Sequence, residues 1–177
     1  MKKPSITELL KLLDKPALLG WANRQGLLGI DIKDYSKRVM QEGISMHKQI
    51  EEYQKYGVVF PDQEMESRYL NFMKDKEFID CEIKVENEYF VGRCDFIFKQ
   101  NHKTYVIDFK RNQRGLYLEN KLQLVAYAMC IECDNLAIVS IPDFYMLDVK
   151  IQDRKPFEEI IKNLSSIYKN KTIIENV

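Results

Sequence analysis

Glu82, Asp95, Asp108 and Lys110 are the side chains in this sequence whose types and spacing could do chemistry together. They fall in two runs, Glu82-Ile-Lys-Val-Glu-Asn-Glu-Tyr-Phe-Val-Gly92-Arg-Cys-Asp95-Phe-Ile-Phe and Tyr105-Val-Ile-Asp108-Phe-Lys110-Arg111. Both runs alternate apolar and polar residues, the period of a β-strand. Reading Asn87-Glu88 as a two-residue turn sets Glu82 opposite Arg93 and Asp80 opposite Asp95. Opposite residues share a sheet face, as do residues two apart on one strand. Glu82 and Asp95 then project from one face, and Asp108 and Lys110 share a face on the next strand.

Three carboxylates at one point are costly unless a cation neutralises them. Carboxylate oxygens suit hard divalent ions. Such an ion activates water and stabilises charge on a phosphate, and a neighbouring lysine can orient the attacking water. The same residues also read as the solvent face of an ordinary antiparallel sheet. Ile107-Asp108-Phe109-Lys110 weighs against that, because its charges interrupt an otherwise apolar strand.

Asp95 followed by Asp108-Phe109-Lys110 resembles the metal-binding core of the PD-(D/E)xK nuclease superfamily. Three further segments resemble its RecB-like exonuclease branch: Gly43-Ile-Ser-Met-His47 (GxxxH), Gly92-Arg-Cys-Asp95 (GxxD) and Gln123-Leu-Val-Ala-Tyr127 (QxxxY). The resemblance covers roughly residues 5 to 142. It implies metal binding by His47, Asp95, Asp108 and the Phe109 carbonyl, with Glu82 completing the shell directly or through water. It assigns Lys110 to the attacking hydroxide and Gln123 to the scissile region. Mg²⁺ is the implied ion, and an imidazole ligand suits Mn²⁺ at least as well. Relatives with an iron–sulfur cluster use one cysteine near the N-terminus and three after the QxxxY helix. Here none precedes Cys81 and only Cys130 and Cys133 follow Tyr127, so no cluster is expected.

The elements that must position these groups are legible on either side. Ser5-Ile-Thr-Glu8 is a capping box opening a short helix that ends near Pro16. A helical pattern runs from Asp34 to Tyr56, stopped by Gly57, with Val39, Gly43, His47 and Ile50 on one stripe. Gly43 is costly inside a helix, which suggests close approach to something. Pro61-Asp62 opens another helix. The three-strand unit spans about Phe78 to Lys110, with Asn101-His102 as the second turn. A helix from about Leu118 to Cys133 puts Gln123 and Tyr127 on one face. Two strands follow, Leu136–Ile141 and Tyr145–Ile151, then a closing helix from Pro156 to Tyr168. The tail from Asn170 reads as poorly ordered. The expected fold is α/β: a central mixed β-sheet flanked by helices, the restriction-endonuclease-like core, with an N-terminal helical lobe. One domain of 177 residues is expected, with the lobe over 1–75, the α/β core over 76–169 and the tail over 170–177.

The 27 basic and 27 acidic residues cancel, which excludes a broad basic surface and confines any nucleic-acid footprint to a local patch. Lys110, Arg111, Arg114 and Lys121 form one candidate. Arg111 and Arg114 sit in a polar loop that could meet backbone phosphates, and Trp21 and Tyr127 are candidate contacts for a strand. The four cysteines read as buried thiols of a reducing compartment, with Cys81 opposite Cys94 in the assumed register. No run is long and apolar enough for a membrane span or signal-peptide core, so an intracellular location is expected: cytoplasm, nucleoid or organelle matrix. No GxxxxGK[ST] occurs, so any unwinding falls to a partner such as a helicase or another repair or recombination protein. The resemblance implies an exonuclease on single-stranded DNA or DNA ends. An endonuclease and a non-catalytic nucleic-acid-binding module that keeps the fold remain the rivals.

Overall fold

The computed structural model describes residues 3–13 and 16–175. Helices α1 (Ile6–Leu10), α2 (Pro16–Leu27), α3 (Ile32–Tyr56) and α4 (Gln63–Met73) come first. Strands β1 (Glu77–Glu86), β2 (Val91–Gln100) and β3 (Lys103–Arg111) follow, then α5 (Leu118–Ala128), β4 (Asn135–Ile141), β5 (Tyr145–Asp148) and α6 (Lys155–Glu175). Local chemistry sets several of these bounds. The Ser5–Glu8 capping box is formed in full at α1. Asp31 accepts the Lys33 and Asp34 amides at the start of α3, and Gly57, at φ 68°, ends that helix in the left-handed conformation. Asp62 caps α4 in the same way.

The five strands form one mixed sheet in the order β1-β2-β3-β4-β5. β1, β2 and β3 are an antiparallel meander, α5 carries the chain across to β4 parallel to β3, and β5 closes the edge antiparallel. One face packs on α1, α5 and α6 through Ile6, Leu9, Leu122, Val125, Ile161 and Leu164. The other packs on the C-terminal part of α3 and on α4 through Ile50, Met65, Tyr69 and Phe72. The expected α/β architecture is the one observed. Within the N-terminal helical segment, α1, α3 and α4 are layers of this core, while α2 packs mainly on α3. None of the described helices is long and apolar enough to cross a membrane.

Several boundaries differ from expectation. The helix beginning at Pro16 follows the short α1 closely and was not anticipated. α5 stops at Ala128 instead of Cys133, and β5 ends at Asp148. The segment from Asn170 to Glu175 is helical, a continuation of α6, and residues 176–177 lie outside the described residues.

The β1–β2 connection is also longer than two residues. Asn87 donates its amide to the Phe90 carbonyl, and its side-chain oxygen accepts the Tyr89 and Phe90 amides. This Asx turn over Asn87–Phe90 moves the register. Arg93 pairs with Lys84, Cys94 with Ile83 and Cys81 with Phe96, so neither Glu82–Arg93 nor Cys81–Cys94 is a cross-strand pair. Cys81 and Cys94 are buried on opposite sides of the sheet, and all four cysteines are free thiols.

Gly92 is fixed by close approach. A Cβ there would lie 3.2 Å from Val85 Cγ2 and 3.3 Å from Ile6 Cγ2, both in the buried core. Gly92→Ala is therefore expected to destabilise the fold by about 1–2 kcal/mol through overpacking. Urea unfolding checks this, and an unchanged midpoint would show that α1 can retreat freely.

Candidate metal and active centre

The centre forms where β2 and β3 part. Their ladder runs from Gln100–Lys103 to Phe96–Ile107 and ends there, while β3 stays paired with β4 as far as Arg111. Beyond that point the Phe109 amide donates to Asp95 Oδ2 at 2.8 Å, so a side chain replaces the missing backbone partner. On the neighbouring strand Glu82 has φ 55°, a left-handed conformation in the middle of β1. Both strands change faces at these residues. Cys81 and Phe96 belong to the core under α3 and α4, whereas Ile83 and Cys94 belong to the core under α1 and α5. Glu82 and Asp95 lie at the switch and direct their carboxylates into the gap.

His47, from α3, enters the same gap. Its Nε2 is 3.3 Å from the Phe109 carbonyl oxygen, which can only accept, so Nε2 carries the proton. Its Nδ1 is 3.5 Å from Glu82 Oε1 and 3.7 Å from Asp95 Oδ2. These separations are too long for good hydrogen bonds. They resemble the spacing of ligands around one ion, since bonds of roughly 2.1 Å put neighbouring ligands about 3 Å apart and opposite ones about 4 Å apart. The ligating atoms of His47, Glu82 and Asp95 all lie within 4.8 Å of one another. This cluster could hold a metal ion.

Asp108 falls outside that cluster. It is 1% exposed, with Lys110 Nζ 2.6 Å from its Oδ2 as an ion pair, yet neither oxygen makes a well-formed hydrogen bond. A buried carboxylate with open lone pairs fits a cation or an ordered water beside it. Lys110 also donates to Gln123 Oε1 at 3.2 Å, and Gln123 Nε2 donates to the Tyr127 hydroxyl at 2.6 Å. His47 thus approaches from the α3 side of the sheet, and Gln123 and Tyr127 from the α5 side.

Titration in this gap follows from burial and charge. Burial, with the Asp108 charge beside it, pushes the Asp95 carboxyl well above the usual carboxylate range. Burial works to lower His47, but the Glu82 contact and the Asp95 and Asp108 charges raise it overall. Burial works to raise Glu82, but its His47 and Arg93 contacts hold it below its ordinary value. Burial likewise opposes the charge on Lys110, while Asp108 and Asp95 raise it overall. The upward shifts of His47 and Asp95 both favour proton binding beside the carboxylates, and a divalent ion would compete with those protons.

The proposed strand contacts are placed less favourably. Tyr127 is 2% exposed and presents no free ring to a base. Arg111 is held by Glu42 of α3 at 2.5 Å, and Arg114 is paired with Asp143. Lys121 is half-buried on α5. Trp21 packs against Tyr35 of α3, with ring centroids 5.6 Å apart. The basic loop after Lys110 is therefore largely committed to intramolecular pairs, which charge counting along the sequence cannot reveal.

Arg93 is the cation that sequence reasoning passed over. It is exposed beside Glu82 and borders both grooves flanking the centre. Its only sequence signal is its place inside Gly92-Arg-Cys-Asp95. Gly43 also differs from expectation: among the described residues, a Cβ there would meet nothing outside its own turn of helix within 4 Å.

No family model matches the chain. A stretch of 66 residues is 38% identical to the RecBCD enzyme subunit RecB of Borreliella burgdorferi; it represents 37% of this chain and 6% of that subunit. A solved structure described as "Crystal structure of SSO0001" overlays with a TM-score of 0.47 at 17% identity, over 93% of this chain and 76% of that one.

Proposed function

We propose that this chain is a metal-dependent deoxyribonuclease domain that degrades single-stranded DNA or DNA ends. The observation that carries the reading is the convergence of His47, Glu82 and Asp95 beside the Asp108–Lys110–Gln123 chain, at the point where β2 and β3 separate. The partial likeness to RecB supports it. A divalent ion, Mg²⁺ or Mn²⁺, would activate water and offset the charge on the scissile phosphate.

The chain's own residues account for the rest. His47, Glu82 and Asp95 supply one imidazole and two carboxylates to the ion, and Asp108 presents its open oxygens beside them. Lys110, held between Asp108 and Gln123, keeps a positive ammonium where the attacking water and the phosphate oxygens meet. Gln123 is itself fixed by Tyr127, so the ammonium is preorganised. Water adds to phosphorus and the bond to the 3′ oxygen breaks, leaving a 5′-phosphate, as the superfamily resemblance implies. The substrate reaches the centre already single-stranded or is unwound by a repair or recombination partner.

Zero net charge gives no broad grip on long duplex, which favours a flexible strand with a free end. End-labelled linear and circular single-stranded DNA, incubated with Mg²⁺ or Mn²⁺, test this. Linear DNA is expected to be degraded with little sequence preference while the circle survives. Equal loss of both would replace the exonuclease with an endonuclease, and binding without any cleavage would leave a nucleic-acid-binding module.

A further inference from the structure

We infer that the substrate strand lies in the groove between α3 and the β1–β2 hairpin, with Arg93 as a backbone-phosphate contact and Gly43 as the clearance that admits it. The inference rests on the nuclease reading and adds where the strand lies. The groove, a cavity of about 370 Å³, is bounded by Gly43, Ile44, His47, Glu82 and Arg93 and opens directly on the candidate centre. Arg93 also borders a second cavity, of about 480 Å³, on the α5 side, with Lys84, Asp95 and Gln123. A strand passing from one cavity to the other would cross the centre beneath the Arg93 guanidinium.

Arg93 is suited to this contact because it is weakly committed. Its side chain is 68% exposed and its contact with Glu82 is 3.5 Å long, against 2.6 Å for Lys110–Asp108 and 2.5 Å for Arg111–Glu42. A guanidinium can exchange such a contact for bidentate phosphate binding, and Glu82 keeps its contact with His47 when it does. Gly43 supplies the independent observation. It sits inside α3 one turn before His47, where glycine weakens a helix, and nothing among the described residues requires it: no φ or neighbouring atom there forbids a Cβ. The open space above it belongs to the groove. Ile44, 60% exposed beside it, offers an apolar surface to a sugar or base.

The test is fluorescence anisotropy of labelled oligo-dT across a salt series, with Ca²⁺ as the hard divalent ion. Arg93→Ala is expected to weaken binding about tenfold and to lower the slope of log affinity against log salt by about 0.7, the value for one phosphate contact to a single strand. Arg93→Lys should recover the slope and part of the affinity. Gly43→Ala is expected to raise the unfolding temperature through helix propensity and yet weaken oligo-dT binding, a pair of opposite signs that a structural role would not produce. Lys150→Ala, an exposed residue that lines neither cavity, serves as the unchanged control. If wild type binds and both Arg93→Ala and Gly43→Ala match it in affinity and slope, the groove assignment is overturned and the nuclease reading stands. If wild type binds no DNA, the nuclease reading fails and this inference with it.

Discussion

Asp95→Asn is expected to eliminate metal-dependent cleavage, a loss on the order of 10³-fold or more, while making the metal-free protein more stable at high pH. The two effects have one cause. Asp95 is buried, lies against Asp108, and has its carboxyl raised well above the usual range. A folded-state value above the unfolded one means a contribution that is fully present below the unfolded value. It is lost as pH rises through the raised folded value. Asparagine has no charge to bury and can still accept the Phe109 amide that Asp95 Oδ2 accepts. The variant should therefore lack the alkaline loss that the wild type shows. A bound divalent ion takes the place of the proton, so wild-type stabilisation by Mg²⁺ or Mn²⁺ should grow with pH across that window. Asp95→Asn should show little of it. Thermal unfolding across pH, with and without each ion, decides the matter. Full activity in a folded Asp95→Asn protein, or undiminished stabilisation by the ions, would remove Asp95 from the site.

The fold was legible in the sequence where one period or one cap decided it. The Ser5–Glu8 box, the Gly57 stop and the alternation over β1 to β3 each specify an element locally, and the Asn101-His102 turn has both residues at positive φ. The β1–β2 register was not legible, because an Asx turn at Asn87 competes with a two-residue turn of the same composition. From Asp80 to Glu86 the true register differs from the assumed one by an even step, so strand parity is retained there although every partner changes. Parity itself then fails at Glu82 and Asp95, where β1 and β2 switch faces and Cys81 and Cys94 part company. Strict alternation has no way to express that switch. Of the candidate centre, the residue types and two of the pairings were readable: strand period sets Glu82 with Asp95 and Asp108 with Lys110, and the geometry brings the first pair to His47 and joins the second as an ion pair. The place of Asp108 outside the His47–Glu82–Asp95 cluster was not readable, because it depends on where β2 and β3 part. Ion pairs between residues far apart in the chain, such as Arg111–Glu42, likewise leave no periodic trace.

Lys110→Met is expected to lose cleavage, again on the order of 10³-fold, and to retain DNA binding. Lys110 reaches Asp108 and Gln123 from inside the gap, so the proposed role puts its charge on the reacting phosphate and not along the length of a strand. The substitution also leaves Asp108 buried and unpaired, at a cost of roughly 3 kcal/mol when the carboxylate is charged. Loss of activity alone would thus be ambiguous, since a destabilised protein also cuts poorly. The double variant Lys110→Met with Asp108→Asn separates the two. Removing both charges should recover most of the lost stability, because no isolated buried carboxylate remains, but should recover none of the cleavage. Urea unfolding, oligo-dT binding and single-turnover cleavage on the single and double variants give the comparison. If Lys110→Met instead bound DNA poorly and cut what it bound at the wild-type rate, the lysine would be a phosphate contact only. The chemical step would then have to draw its positive charge from the metal.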